Sequence, residues 1–299
     1  MSGNSGIRVG VARGVQLHRS QLEPEPGRYD WSAVDAVLEQ TDADTELWFT
    51  ITTTSAPPGP AGYAAMVCAL VAHCDGRVRY WQCENEPSNG SFGAAEDYVR
   101  HLIGFHAAVR AGDPLAEVVL GACPPRIFAN PDEPDPERDF FLHVIRTCGA
   151  HYDLFDLHLY GDPYLVPVMV ENARAALRAA GDEKPFIAGE YNHLLDADDI
   201  VMRNILALSC GIDRTLCWQL PVRSPCTSAF TELAFRLEGA KAVERITVPE
   251  RPDAYIYDIA GTEWQVGWLR REHSVAEPES LVWNNIKVGS QPIYLRANR

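Results

Sequence analysis

The sequence predicts an α/β fold, a (β/α)8 (TIM) barrel whose first β/α unit is degenerate or missing, with a small all-β appendage at the C-terminus. Three observations lead there. Seven short, nearly all-apolar strands alternate strictly with helices between about residues 14 and 237, as they do when helices cover both faces of a parallel sheet. No glycine-rich phosphate loop follows the first strand, and polar residues gather after several strands, which favours a barrel over a doubly wound open sheet. After Arg245 the apolar period becomes two, with Tyr255 and Tyr257, then Trp264, Val266 and Trp268, so residues 1–244 are expected to form the barrel and 245–299 a small β-strand appendage.

The elements follow in order. Residues 1–13 hold at most one strand, Ile7 to Val11, and no helix. Gly14 to His18 reads as a strand, and Asp30 or Ser32 can cap a helix running to Gln40. Glu46 to Thr52 is a strand ended by Pro57-Pro-Gly-Pro60, before a helix from Tyr63 to Cys74. Val78 to Asn85 is the next strand, and Tyr98, Leu102, Phe105 and Val109 mark its helix, stopped at Gly112. Val118 to Gly121 leads through a long loop to Asp135-Pro136, a cap and first turn, and a helix to Cys148. Leu154 to Tyr160, Phe186 to Glu190 and Thr215 to Leu220 are further strands. Their helices open at Asp162-Pro163, at Asp198 and near Ser228. Ser280 to Trp283 and Ile293 to Leu295 read as strands of the appendage, whose tryptophans pack on the protein rather than stack on sugars.

Composition narrows the function. A formal charge of −15 on 299 residues argues against a nucleic-acid partner and favours a neutral ligand over a polyanion. No apolar run is long enough to span a membrane. Met-Ser-Gly-Asn-Ser-Gly lacks the character of a secretory signal, and Cys83, Cys123, Cys210 and Cys217 of the eight cysteines fall in apolar elements, where free cysteine acts as a small core residue. A cytoplasmic location is therefore expected unless the N-terminus is truncated. No Cys-x-x-Cys, His-x-x-x-His or His-Glu-x-x-His occurs, so no metal and no cofactor is expected.

Two strands stop on a glutamate, Glu86 in the first and Glu190 in the second. A carboxylate at the end of a buried strand is costly to desolvate, and strand ends of one parallel barrel open on the face that carries the chemistry. Two carboxylates across a cleft are the machinery of glycoside hydrolysis, one giving a proton to the leaving oxygen and one supporting the anomeric carbon. A strand-end salt bridge is the plainer account of either glutamate alone. His158 and Tyr160 share a strand face, so both can point into the mouth, though His158 also reads as a buried, satisfied histidine. Glu84 shares a face with Glu86 and is expected lower in the barrel, beside a cation.

The run Tyr80-Trp-Gln-Cys-Glu-Asn-Glu-Pro87 resembles the fourth-strand motif of the clan A retaining glycoside hydrolases, and Phe186-Ile-Ala-Gly-Glu190 resembles their seventh. Asp156-Leu-His-Leu-Tyr160 is similar to their sixth strand, Trp218 sits where their eighth carries a tryptophan, and Glu23 to Trp31 resembles the segment after their second. Loosely, the likeness is nearest to the β-xylosidase and α-L-iduronidase family and its cellulase-like neighbours. It implies a retaining O-glycosidase with Glu86 as general acid/base and Glu190 as nucleophile. It further implies Asn85 on the sugar 2-hydroxyl, Tyr160 donating to Glu190 and Trp218 as a platform for the ring. Tyr191, Asn192 and His193 follow the nucleophile and can touch substrate. The family's first strand is not identifiable, and Arg13 and Arg19 are the candidates for its active-site arginine. A glycoside, oligosaccharide or polysaccharide is the expected partner. The rivals are a barrel that binds carbohydrate without turning it over and a barrel enzyme for a phosphorylated metabolite, whose glycine-rich phosphate site the Leu220 to Pro225 loop lacks.

Overall fold

Leu47–Thr52 is buried at every residue, so both faces of the strand are covered and its aromatic and β-branched side chains fill the space between helix layer and interior. The computed structural model describes residues 12–42, 45–53, 60–89, 92–191, 196–217, 223–270 and 281–297. The chain divides into two compact units, Gly10–Tyr160 with Val168–Glu190, and Met1–Val9, Gly161–Pro167 and Tyr191–Arg299.

In the first of these units β1 (Ala12–His18), β2 (Leu47–Thr52), β3 (Val78–Cys83) and β4 (Glu117–Val119) form one parallel sheet in chain order. Two parallel bridges, Val119 to Leu154 and Cys123 to Leu157, lead on to β5 (Phe155–Asp156), which pairs in parallel with β6 (Phe186–Ala188). Helices stand between the strands: α1 (Arg19–Leu22), α2 (Ser32–Gln40), α3 (Pro60–His73), α4 (Ala95–Gly112), α5 (Pro136–Cys148) and α6 (Val166–Ala179), the last entering this unit at Val168. The expected signals operate. Tyr98, Leu102, Phe105 and Val109 are buried on α4, and the Asp135 carboxylate caps α5 by accepting from the Glu137 and Arg138 N–H groups.

The expected closed barrel is realised among the described residues as a partial parallel array. β4, β5 and β6 are two or three residues long, so few ladder bonds join them. The extended path continues past their ends through single bonds, His158 N–H to Cys123 O (3.0 Å) and Leu159 N–H to Glu190 O (2.9 Å). Ile7 to Val11 and Trp218 lie outside the described residues.

The other unit carries α7 (Ala197–Ser209), β7 (Ile212–Thr215) and α8 (Pro225–Leu237). The strand expected from Thr215 begins earlier, at Ile212. Four antiparallel strands follow in the order β13-β10-β9-β8, with β8 Ala242–Ile246, β9 Ala254–Ala260, β10 Trp264–Leu269 and β13 Ile293–Arg296. β8 begins at Ala242, and its Glu244 and Arg245 pair with Asp258 and Tyr257 of β9. Between β11 (Leu281–Trp283) and β12 (Ile286–Val288), Asn284 and Asn285 both take positive φ, 50° and 63°, the two-residue turn that matches strand twist. Trp268 is buried and stacked on Tyr255 and Tyr257, and Arg236 lies 3.4 Å over the Trp264 ring, so both tryptophans are spent on packing. Among the described residues no helix is long and apolar enough to cross a membrane.

Candidate active site

Strand β3 ends at Cys83, and just beyond it the backbone does something strands avoid. Glu84 and Glu86 adopt φ of +70° and +42°, a left-handed conformation that costs a side-chain-bearing residue about 1–2 kcal/mol and persists where the surroundings enforce it. Alternation is therefore broken. Glu84 and Glu86 do not share a face as expected.

Glu84 is buried and accepts from the Thr53 N–H (2.9 Å) and hydroxyl (2.6 Å), with His101 Nε2 3.3 Å away. Tyr98 secures the same turn from α4. Its hydroxyl donates to Cys83 O (2.9 Å) and accepts from Gly121 N–H (2.8 Å). A Cβ at Gly121 would stand 2.5 Å from Cys83 O and 2.7 Å from that hydroxyl, so glycine is required there. Tyr98→Phe leaves a buried carbonyl and N–H without this partner. It is expected to cost about 1–3 kcal/mol, read as a lower denaturant midpoint with an unchanged slope. An unchanged midpoint would remove Tyr98 from this role.

Freed from Glu84, the Glu86 side chain meets the residues that follow β5. His158 is wholly buried. Its Nδ1 lies 2.8 Å from Glu86 Oε1 and 3.6 Å from Glu190 Oε2. The Tyr160 hydroxyl donates to Glu190 Oε2 at 2.8 Å, and the Asn89 amide donates to Glu86 Oε2. The Glu86 side chain keeps 21% of its surface open and that of Glu190 8%. Both carboxylates thus meet around one imidazole, at the ends of β3 and β6, with solvent reaching the first more than the second.

Burial pushes the Glu86 carboxyl up. The hydrogen bond and charge of His158, the Asn89 amide and the Arg126 guanidinium outweigh burial and hold it below the usual carboxylate range. All eight cysteines are free, and burial pushes the Cys83 and Cys123 thiols well up, so neither supplies a thiolate. Among the described residues no group of histidine, cysteine and acidic side chains is arranged to hold a metal ion.

The structure thus brings together Glu86, Glu190, His158 and Tyr160 of the expected residues. Asn85 is half-buried on the same left-handed turn. Tyr191 is corrected: its side chain is fully buried and its hydroxyl accepts from Asn204 Nδ2 at 2.9 Å, a place in the core rather than on a ligand. Trp218, Asn192 and His193 fall outside the described residues, as does the Arg13 side chain. Arg19 is engaged with Glu23, at 3.0 and 2.8 Å. Sequence reasoning missed Asn89, Gln82 and Asp156. The last had a legible signal, since Asp156, His158 and Tyr160 alternate along one strand face.

At the level of sequence no protein-family model and no curated protein matches the chain. Its fold is similar to several solved structures. A glucosidase from Croceicoccus marinus has a TM-score of 0.65 at 15% identity, over 90% of this chain and 68% of that one. An endo-β-1,4-mannanase from Thermotoga petrophila has 0.57 at 12%, over 96% and 85%. An α-L-arabinofuranosidase from Thermotoga maritima has 0.53 at 13%, over 79% and 62%. At such identities the likeness is one of fold, and this chain spans about two thirds of the glucosidase and less of the arabinofuranosidase.

Proposed function

We propose that the protein is a retaining O-glycoside hydrolase of the clan A type on a (β/α)8 framework, with Glu86 as general acid/base and Glu190 as nucleophile. The observation that carries the reading is the meeting of both carboxylates at His158 Nδ1, 2.8 and 3.6 Å away. The facing oxygens can be no further apart than those two distances laid end to end. Carboxylates gathered this closely around one imidazole are compatible with the carboxyl separation of about 5–5.5 Å on which double displacement depends. The fold likeness to a glucosidase, a mannanase and an arabinofuranosidase supports a sugar substrate.

In this mechanism Glu190 attacks the anomeric carbon as the bond to the leaving oxygen breaks, and Glu86 passes its proton to that oxygen. A water then gives its proton to Glu86 and its oxygen to the anomeric carbon, releasing Glu190. Tyr160 keeps the attacking oxygen aligned by donating to Oε2. Asn85 on the 2-hydroxyl and Trp218 under the ring complete the proposal. Tyr160→Phe removes a hydrogen bond to a charged group worth about 1.5–3 kcal/mol. It is expected to lower kcat/KM about 10–100-fold; parental kinetics would deny the tyrosine this role.

The test is an aryl-glycoside and oligosaccharide panel assayed at acid and neutral pH, with NMR of the first-formed anomer. Retention supports the acid/base and nucleophile roles, and inversion removes the nucleophile role from Glu190. One observation favours a second reading, a barrel that binds carbohydrate without turnover: a Glu86 held in its ionised form is a poor proton donor. Saturable sugar binding with no hydrolysis at any pH would establish that alternative.

A further inference from the structure

The mechanism leaves one buried carboxyl group unused. Asp156, at the end of β5, is wholly buried and accepts from two directions. Its Oδ1 takes the Gly189 N–H at 2.6 Å, and its Oδ2 takes the Gln82 amide, also at 2.6 Å. Gln82 is wholly buried too. Its carbonyl takes the Thr50 hydroxyl at 2.8 Å, and its amide also donates to Leu120 O at 3.3 Å. A Cβ at Gly189 would stand 2.3 Å from Asp156 Oδ2, so the carboxyl group sits directly on the backbone one residue before Glu190.

These bonds cross the parallel array where its backbone ladder is thin. β3 leads to Glu86 and β6 to Glu190, with β4 and β5 between them. β4 is three residues long, and it reaches the β5 segment through isolated bridges, Val119 to Leu154 and Cys123 to Leu157, rather than through a continuous ladder. The Gln82 bond to Asp156 passes over β4 and ties β3 to β5, and the Gly189 bond ties β5 to β6. Away from water such bonds are strong, and removing one partner strands the other.

We infer that Asp156 and Gln82 are positioning residues: together they clamp β3 to β6 and so set the separation of the Glu86 and Glu190 carboxyl groups. Neither needs to touch the sugar. The effect on turnover rests on the glycosidase reading, whereas the clamp does not.

The test is a cycle of Asp156→Ala, Gln82→Met and their combination in the full chain, read by amide exchange and by kinetics well below the melting temperature. In the parent the Gly189 N–H is expected to exchange as slowly as the ladder amides of β2 and β3, and in Asp156→Ala about tenfold faster or more. For each single variant kcat should fall about 10–100-fold with KM little changed, because misplaced reacting groups are felt in the transition state. In the double variant the losses should not multiply, since Gln82 has already lost the group it ties. Val109→Ala, a core truncation on α4, is the control: a lower denaturant midpoint with parental kcat. An equal loss of kcat in that control overturns the inference, and so do multiplicative losses or a freely exchanging Gly189 N–H in the parent. If Asp156→Ala does not fold, Gln82→Met and the parental exchange decide. Slow Gly189 exchange, lost in Asp156→Ala, in a protein that hydrolyses no glycoside leaves the clamp standing and removes the proposed function; hydrolysis indifferent to both substitutions does the reverse.

Discussion

Glu190→Ala is expected to abolish hydrolysis of aryl glycosides, on the order of 10⁴-fold or more in kcat, the scale of losing the nucleophile of a covalent mechanism. Geometry sets this expectation. Glu190 ends the run Phe186 to Glu190 beyond β6, its carboxylate is nearly buried, and Tyr160 holds one of its oxygens. The loss should be partly reversed by azide. Azide nitrogen would attack the anomeric carbon from the vacated side as the aryl oxygen departs, leaving a glycosyl azide of inverted configuration. Stopped assays of the variant with and without azide, with NMR of the product, check both points. Parental rates in Glu190→Ala would end the claim that this residue attacks the sugar.

Glu86→Gln should behave differently, and the difference is diagnostic. An acid matters in proportion to how badly the leaving group needs a proton. The loss is therefore expected to reach about 10²–10⁴-fold for poor leaving groups and to shrink as the aryl group becomes more acidic. A uniform loss across leaving groups would mean a binding role instead. The lowered Glu86 carboxyl adds a pH signature. A depressed value means that the proton is given up at lower pH than by an ordinary glutamate, near 4.3. So kcat/KM should fall as pH rises through that lowered value, placing the optimum in the acid range, and Glu86→Gln should lose that descending limb. The same shift contributes stability above the unfolded-chain value, and that contribution is lost as pH falls through the lowered folded one. The acid side of the optimum should therefore run into unfolding, which thermal melts between about pH 3 and 7 will register in the parent and less in the variant.

Much of this was legible in the chain. Apolar runs broken by turn residues announce β2, β3 and β6, and helical spacing announces α4. The Asp135-Pro136 pair announces the start of α5 because a side-chain cap and a proline both suit a first turn. Glu86 and Glu190 stood out since a carboxylate ending an apolar strand needs a reason. These are local properties, set by a few neighbouring residues. What only the folded chain decided is which groups meet. The left-handed turn at Glu84 and Glu86 overrides strand alternation and sends two glutamates of one strand end to different partners. Tyr191, next to the proposed nucleophile in sequence, goes into the core. Asp156, in the sequence only a strand-face neighbour of His158 and Tyr160, ends up behind the imidazole that Glu86 and Glu190 share. The physical reason is that backbone preference and hydrophobic period act over a few residues, whereas the charge and hydrogen-bond balance of this site sums contributions from β3, β5 and β6, and no stretch of sequence contains that sum.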